Sequence, residues 1–212
     1  MKKFTIVTLY PELLKPYTDG AILGRAQKKK AISIGYLNLR DFGLGKYRQV
    51  DDTPYGGGPG MILRADVAVP AIEKARGKKG RVILLSPTGR QFSQETARDL
   101  SREDHIVLVC GRFEGVDERV KKYIDDEISA GPYVTAGGEL PALTILESIA
   151  RLLPGVLGNP TSAEDESFTN NALEYPQYTK PAVYRELKVP EVLQSGDHRK
   201  IKAWRVAHQK RI

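Results

Sequence analysis

A single cysteine, Cys110, in 212 residues excludes an internal disulfide and suits a reducing cytosol. It closes the apolar run Ile106-Val-Leu-Val-Cys110, where a thiol serves as a small buried hydrophobe. The three histidines, His105, His198 and His208, show no metal-site spacing, so no metal ligands are assigned. No apolar stretch approaches the ~18 residues of a membrane span, and none opens the chain as a signal peptide. The expectation is a soluble, cytoplasmic protein without a membrane partner. Familiar nucleotide motifs are missing too. Gly56-Gly-Gly-Pro-Gly60 lacks the Gly-Lys-Ser/Thr ending of a phosphate loop and follows no strand. No G-x-G-x-x-G opens a helix after the first strand, and no G-x-S-x-G marks a nucleophile elbow. These absences argue against an ATPase or kinase, an ordinary dehydrogenase and a hydrolase.

What is present is ordinary for a globular chain: 41% hydrophobic and 28% charged residues. The length allows one good core, or one larger domain with a small appendage. The formal charge of +7 is unevenly placed. From residue 181 to 212, eight Lys or Arg against three acids leave +5. Such a tail suits a polyanion, most plausibly nucleic acid; a solvated helix face is the plainer reading of the same charge.

Periodicity predicts strands at 3–9, 31–39, 81–85 and 106–110, and a short strand region around Tyr133-Val134. Helical spacing falls at 11–29 (weakened by Gly20 and Gly24), 65–76, 93–100, 116–125, 141–153 and 197–208. Short apolar strands alternating with helices predict an α/β fold, a parallel sheet covered on both faces. Residues 40–60 form a long polar loop, of a length usually functional or mobile. Residues 159–172 are polar and acidic and read as a linker, which divides the chain.

Three predicted strand regions end in Gly-bearing turns: Leu84-Leu85-Ser86-Pro87-Thr88-Gly89, Cys110-Gly-Arg-Phe-Glu-Gly115 and Gly131-Pro-Tyr-Val-Thr-Ala-Gly-Gly138. Ligands of open α/β sheets sit beyond the strands' carboxyl ends, and glycine lets backbone approach a flat ligand closely. The 141–153 helix is apolar nearly all round, except for a stripe of Thr144, Glu147, Ser148 and Arg151. Arg151 has two readings: an intrahelical pair with Glu147, or a role in a cleft.

Seven blocks carry a resemblance: Asp51-Asp52-x-Pro54-Tyr55-Gly-Gly-Gly-Pro-Gly-Met61, Leu85-Ser86-Pro87, Cys110-Gly-Arg-Phe-Glu-Gly115, Asp117-Glu-Arg-Val120, Gly137-Gly-Glu-Leu-Pro-Ala142, Pro154-Gly-Val-Leu-Gly158 and Tyr175-Pro-x-Tyr-Thr-x-Pro181. In order and spacing, from the first strand to about Trp204, they resemble the bacterial tRNA (guanine-37-N1)-methyltransferases. The resemblance implies a SPOUT-type α/β fold: a mostly parallel sheet with helices on both faces, a C-terminal trefoil knot and a small helical C-terminal domain. It implies residues 1–158 as the S-adenosylmethionine-binding domain, 159–172 as a flexible linker carrying the general base, and 173–212 as a short basic helical tRNA-binding domain. A homodimer is implied as well. Mg²⁺ is left open.

Position by position, the resemblance puts the cofactor on Leu84, Leu85, Ser86 and Pro87, then on Gly111, Phe113 and Glu114. In the third turn it adds Ser129, Ala130, Gly131, Tyr133, Val134, Thr135, Gly137, Gly138 and Pro141. Asp51, Gly60 and Ser167 match positions that meet the RNA. Arg151 matches an arginine beside the reacting base. The base position, an aspartate before Ser-Phe in the family, is Glu166 here; Asp165 is adjacent and could serve after a one-residue slip. Phe113, Thr88 and Pro132 also depart from the family's tyrosine, glutamine and aspartate.

The implied chemistry is direct methyl transfer from S-adenosylmethionine to N1 of guanine 37 in tRNA. A carboxylate takes the N1 proton and Arg151 stabilises charge on O6. The alternatives are a knotted methyltransferase acting on another RNA, and a tRNA-binding protein without catalysis. The family usually extends beyond the position of Ile212, so weaker tRNA contacts are expected.

Overall fold

A computed structural model describes residues 1–158, 167–168 and 172–211. The chain forms two compact units, Met1–Gly158 and Asn159–Ile212. In the first unit the strands are β1 (Lys2–Thr8), β2 (Ile32–Asn38), β3 (Asp51–Asp52), β4 (Ile62–Leu63), β5 (Arg81–Gln91), β6 (His105–Cys110) and β7 (Asp126–Ser129). The helices are α1 (Pro11–Thr18), α2 (Ala21–Lys28), α3 (Ala65–Arg76), α4 (Gln94–Leu100) and α5 (Glu139–Ala150). Five strands form one sheet in the order β2-β1-β6-β5-β7, and every pairing is parallel. The hairpin β3-β4 stands apart from it.

Alternation along the strands builds two cores. Phe4, Ile6, Ile83, Leu85, Ile106, Leu108 and Cys110 face α1, α2, α4 and α5. Val7, Val82, Leu84, Val107 and Val109 face α3 and Val120 of the 3-10 segment Glu118–Tyr123. Both faces are covered, which is why these strands read as unbroken apolar runs. Cys110 is fully buried. Burial, with the Glu139 carboxylate nearby, pushes its thiol pKa well up.

The structure corrects several expectations. The helix expected at 11–29 is two helices, α1 and α2, with the chain turning at Asp19-Gly20 and Gly20 taking the extended N-cap of α2. Residues 116–125 hold only the 3-10 segment, started by Asp117, whose carboxylate accepts from the Arg119 backbone N–H. The third site strand is β7, and Tyr133-Val134 lies in irregular chain after it. Its start, Asp126-Glu127, hid it in sequence, because those charges are answered only in space. Arg90 binds Asp126 at 2.5 Å, and Lys121 binds Glu127 at 3.2 Å. The α5 helix starts at Glu139 and ends at Ala150, before the expected 153. Pro141 is its third residue, inside the first turn, where a missing N–H is tolerated.

The second unit holds helices and two small β pairs. Strand β8 (Ala172–Leu173) pairs with β11 (Lys210–Arg211), and β9 (Val183–Tyr184) with β10 (Leu187–Lys188). Its helices are α6 (Glu191–Gln194) and α7 (His198–Ala207), the latter N-capped by Asp197. The terminal helix expected at 197–208 is α7, and the two β pairs add to the helices that were expected. None of its described residues is fully buried. Aromatic contacts serve in place of a core: Trp204 stacks on His208 at 4.0 Å, and Arg205 lies 4.9 Å over the Tyr175 ring. No described helix is long and apolar enough to cross a membrane.

Candidate active site at the carboxyl edge of the sheet

Strands β6, β5 and β7 are neighbours, and the chain leaves each one on the same edge. In β5 the departure is temporary. Leu85 and Arg90 both pair with Ile128, so residues 86–89 bulge out between two halves of one strand. The second turn, 111–115, follows β6 and carries Phe113 in the left-handed region at φ +63°. The third, 130–138, follows β7 and leads into α5. Second and third turns meet where the Gly138 N–H donates to the Gly111 carbonyl at 2.9 Å. A Cβ on Gly138 would stand 2.7 Å from the Cys110 Cα, so a side chain there would push α5 off the end of β6.

The three turns enclose a cavity of about 420 Å³. Every residue that the resemblance puts on the cofactor, from Leu84 in the first turn to Pro141 of α5, lines it. Thr88, Arg112, Glu118, Lys121 and Glu127 line it as well, and the sequence reading did not place them there. Glu118, Lys121 and Glu127 lie outside the Gly-bearing turns and their charges read as ordinary surface, while Thr88 and Arg112 lie within those turns without a role assigned to them. Leu84, Leu85, Val116 and Pro141 supply apolar walls, while Glu114, Glu118 and Glu127 supply carboxylates. Burial opposes ionisation of Glu127. Hydrogen bonds from Thr88 and Ser86 and the Lys121 ammonium outweigh it, holding the carboxyl below its usual pKa. A lined space of this size, with apolar walls and closely approaching backbone, suits a flat heteroaromatic ligand.

The polar loop at 40–60 is anchored to this site. Backbone bonds join the β3-β4 hairpin to the second turn: Glu114 N–H to the Met61 carbonyl at 2.9 Å, and Leu63 N–H to the Gly115 carbonyl at 3.0 Å. Gly60, at φ +78°, packs so tightly that its Cβ would lie 2.4 Å from the Glu114 Cγ. Gly60 is thereby beside the cavity wall. Asp51, on β3, pairs in register with Leu63.

The remaining candidates lie on or beyond α5. Arg151 is its half-buried C-cap residue. Thr144 and Ser148 spend their hydroxyls on the Leu140 and Thr144 carbonyls, at 3.1 and 2.7 Å, and Glu147 accepts from the Tyr17 hydroxyl of α1. Ser167 accepts from the Glu174 backbone N–H at 3.1 Å within the second unit. Asp165 and Glu166 lie outside the described residues. Among the described residues, no group of three or more His, Cys, Asp or Glu is arranged to hold a metal ion.

Fold and cavity define an α/β protein with a ligand-sized cavity at the carboxyl edge of a parallel sheet. The model of the family described as tRNA (Guanine-1)-methyltransferase TrmD matches residues 1–212. The chain belongs to that family. It is 48% identical over 204 residues to the tRNA (guanine-N(1)-)-methyltransferase of Carboxydothermus hydrogenoformans, covering 96% of this chain and 81% of that protein. It is 50% identical over 208 residues to the enzyme of the same name from Pelotomaculum thermopropionicum, covering 96% and 83%. With that from Staphylococcus epidermidis it shares 48% over 212 residues, covering 99% and 86%.

Proposed function

We propose that this chain methylates N1 of guanine 37 in tRNA, beside the anticodon, with S-adenosylmethionine as donor. The observation that carries the reading is the cavity closed by three turns on neighbouring parallel strands, in a chain of this family. The donor set fits the cofactor. Apolar walls and close backbone suit the adenine, and the Glu114 carboxylate suits the sulfonium, Glu118 and Glu127 being paired with Lys121. Bound there, S-adenosylmethionine supplies a methyl group already electrophilic enough for direct transfer.

The chain's own residues then divide five tasks. The turns hold the ligand and exclude water from it. Glu166 takes the proton from guanine N1, which in the neutral base has no free lone pair in the ring plane; Asp165 is the alternative base. Arg151 offsets negative charge developing on O6. Asp51 and Gly60, on the loop anchored beside Glu114, and Ser167 meet the RNA. The basic 181–212 segment holds phosphates, giving an affinity that falls with salt.

The same reading includes a homodimer. Leu13 and Tyr17 of α1 and Leu140 of α5 are 56%, 51% and 67% exposed on two helices packed together. A second copy would cover them. Sedimentation of the wild-type chain and of Leu140→Asp checks this, with a shift to monomer expected for the variant.

The primary test is transfer of labelled methyl to a tRNA transcript carrying G36-G37, beside one carrying A37. Label on the first alone is expected. Label on both would move the target to another position, and binding without label would leave a tRNA-binding protein. Running the assay with and without chelator reads any Mg²⁺ requirement.

A further inference from the structure

We infer that Glu127 is a positioning residue for cofactor binding, acting by holding the first turn of the cavity in its bulged form. The inference rests on the cofactor reading of that cavity, and concerns residues to which that reading gives no role.

The bulge is the unusual element of the site. Strand β5 could run straight alongside β7, yet residues 86–89 leave it and return to pair with the same residue, Ile128. Four unpaired residues at a sheet edge need something to hold them. Within the bulge, the Thr88 N–H donates to Ser86 Oγ at 3.2 Å, and the two hydroxyls lie 2.8 Å apart. That small loop is tied to the sheet through the Glu127 carboxylate, with Thr88 Oγ1 donating to Oε1 at 2.6 Å and the Ser86 hydroxyl as a second hydrogen-bond partner. Glu127 is the ordered half of this contact, its side chain 19% exposed, whereas Thr88 is exposed on the bulge.

The other carboxylate oxygen, Oε2, binds Lys121 Nζ at 3.2 Å, and the same ammonium reaches Glu118 at 3.1 Å. Lys121 belongs to the 3-10 segment that follows the second turn. Glu127 therefore links all three pieces of the cavity: it sits on the strand leading to the third turn, holds the first, and is braced by the segment after the second. Gly89 packs flat on this strand, where a Cβ would lie 2.5 Å from the Glu127 backbone carbon. The bulge is thus fixed by one close backbone contact and by charge-assisted hydrogen bonds to a single carboxylate.

A residue of this kind sets how much of the cofactor's binding energy goes into ordering the loop. Releasing the bulge lowers cofactor affinity and leaves proton removal, carried by other residues, largely in place. The test compares Glu127→Ala, Glu127→Gln and Thr88→Val with the wild-type chain in two assays. The first is amide hydrogen exchange over residues 81–92 without any ligand. Faster exchange is expected in Glu127→Ala and Thr88→Val, and unchanged exchange overturns the inference whatever the cavity binds. The second is steady-state methyl transfer. KM for S-adenosylmethionine should rise about tenfold or more, with kcat at saturation falling by much less. Glu127→Gln, which keeps an acceptor for Thr88 but loses the charge facing Lys121, should fall between. A loss confined to kcat overturns the inference. Faster exchange in variants of a chain that does not bind S-adenosylmethionine even as wild type would instead sink the cofactor reading.

Discussion

Arg112 and Glu139 form an ion pair, Nε to Oε2 at 3.1 Å, between the second turn of the cavity and the first residue of α5. The carboxylate is 4% exposed, and its other oxygen accepts from the Thr8 hydroxyl of β1 at 2.8 Å. The guanidinium lies 4.7 Å over the Tyr10 ring and donates to the Ala136 carbonyl at 3.3 Å. One pair thus fastens the end of β1, the second turn and the third. Its two halves are unequal, because Arg112 is 21% exposed and can reach water while Glu139 cannot. Arg112→Ala, which strands a buried carboxylate, is expected to destabilise by ~3–5 kcal/mol. Glu139→Ala should cost less, and the double variant less than the sum. Urea unfolding of the three variants measures this.

Gly138→Ala should injure the site more than its single methyl suggests. The Cβ would meet the Cys110 backbone, which cannot swing aside as a side chain would. About 1–3 kcal/mol of overpacking is expected. Cofactor affinity should fall with it, since the Gly138 N–H closes the contact between second and third turns. Calorimetric titration with S-adenosylmethionine, beside thermal unfolding, separates the two effects.

The proposed chemistry predicts a division of labour that single-turnover methyl transfer can read. Arg151→Ala should lower the rate by about 10²–10³, as the loss of one oxyanion donor does. Glu166→Ala should lower it by about 10²–10⁴, and Asp165→Ala should leave it nearly intact. The reverse order would move the base to Asp165. In either case, cofactor affinity should change little.

Lys2 predicts a pH dependence far from the site. Its ammonium donates to the carbonyls of Leu100 and Ser101 at 2.9 and 3.1 Å, and to that of Glu103, just past the end of α4. Burial nevertheless pulls its pKa from 10.5 to about 8. Between those values the unfolded chain holds the proton and the folded chain does not, so folding becomes more favourable as pH rises through that window. Lys2→Met should be less stable near neutrality, because three carbonyls lose a donor. The gap between wild type and variant should widen from pH 8 toward 10. Chemical denaturation across that range checks it.

The parts of the fold that were legible in sequence are those set by local pattern. α3 was predicted at its observed bounds, and the apolar runs around Ile83 and Leu108 were placed as strands because burial on both faces makes such runs continuous. The third site strand, β7, was misplaced, because Asp126-Glu127 read as surface until Arg90 and Lys121 were brought against them. The break between α1 and α2 was visible only as two weakening glycines. Of the site, the glycine turns announced themselves and Glu127, Lys121 and Arg112 did not. A glycine signals a backbone requirement locally, whereas a charged side chain acquires its meaning from a partner distant in the chain.

The sequence by itself determined the α/β class, the ordered motifs of a tRNA (guanine-1)-methyltransferase, and the candidate residues that those motifs carry, because periodicity and turn chemistry are written within a few residues. Only the tertiary structure decided that β6, β5 and β7 lie side by side, so that three turns spread over some fifty residues close one cavity. It also decided that Glu127 meets Thr88 and Lys121, and that Glu139 meets Arg112. Strand order and ion pairing depend on contacts between residues far apart in the chain, and those contacts exist only once the cores on both faces of the sheet have packed.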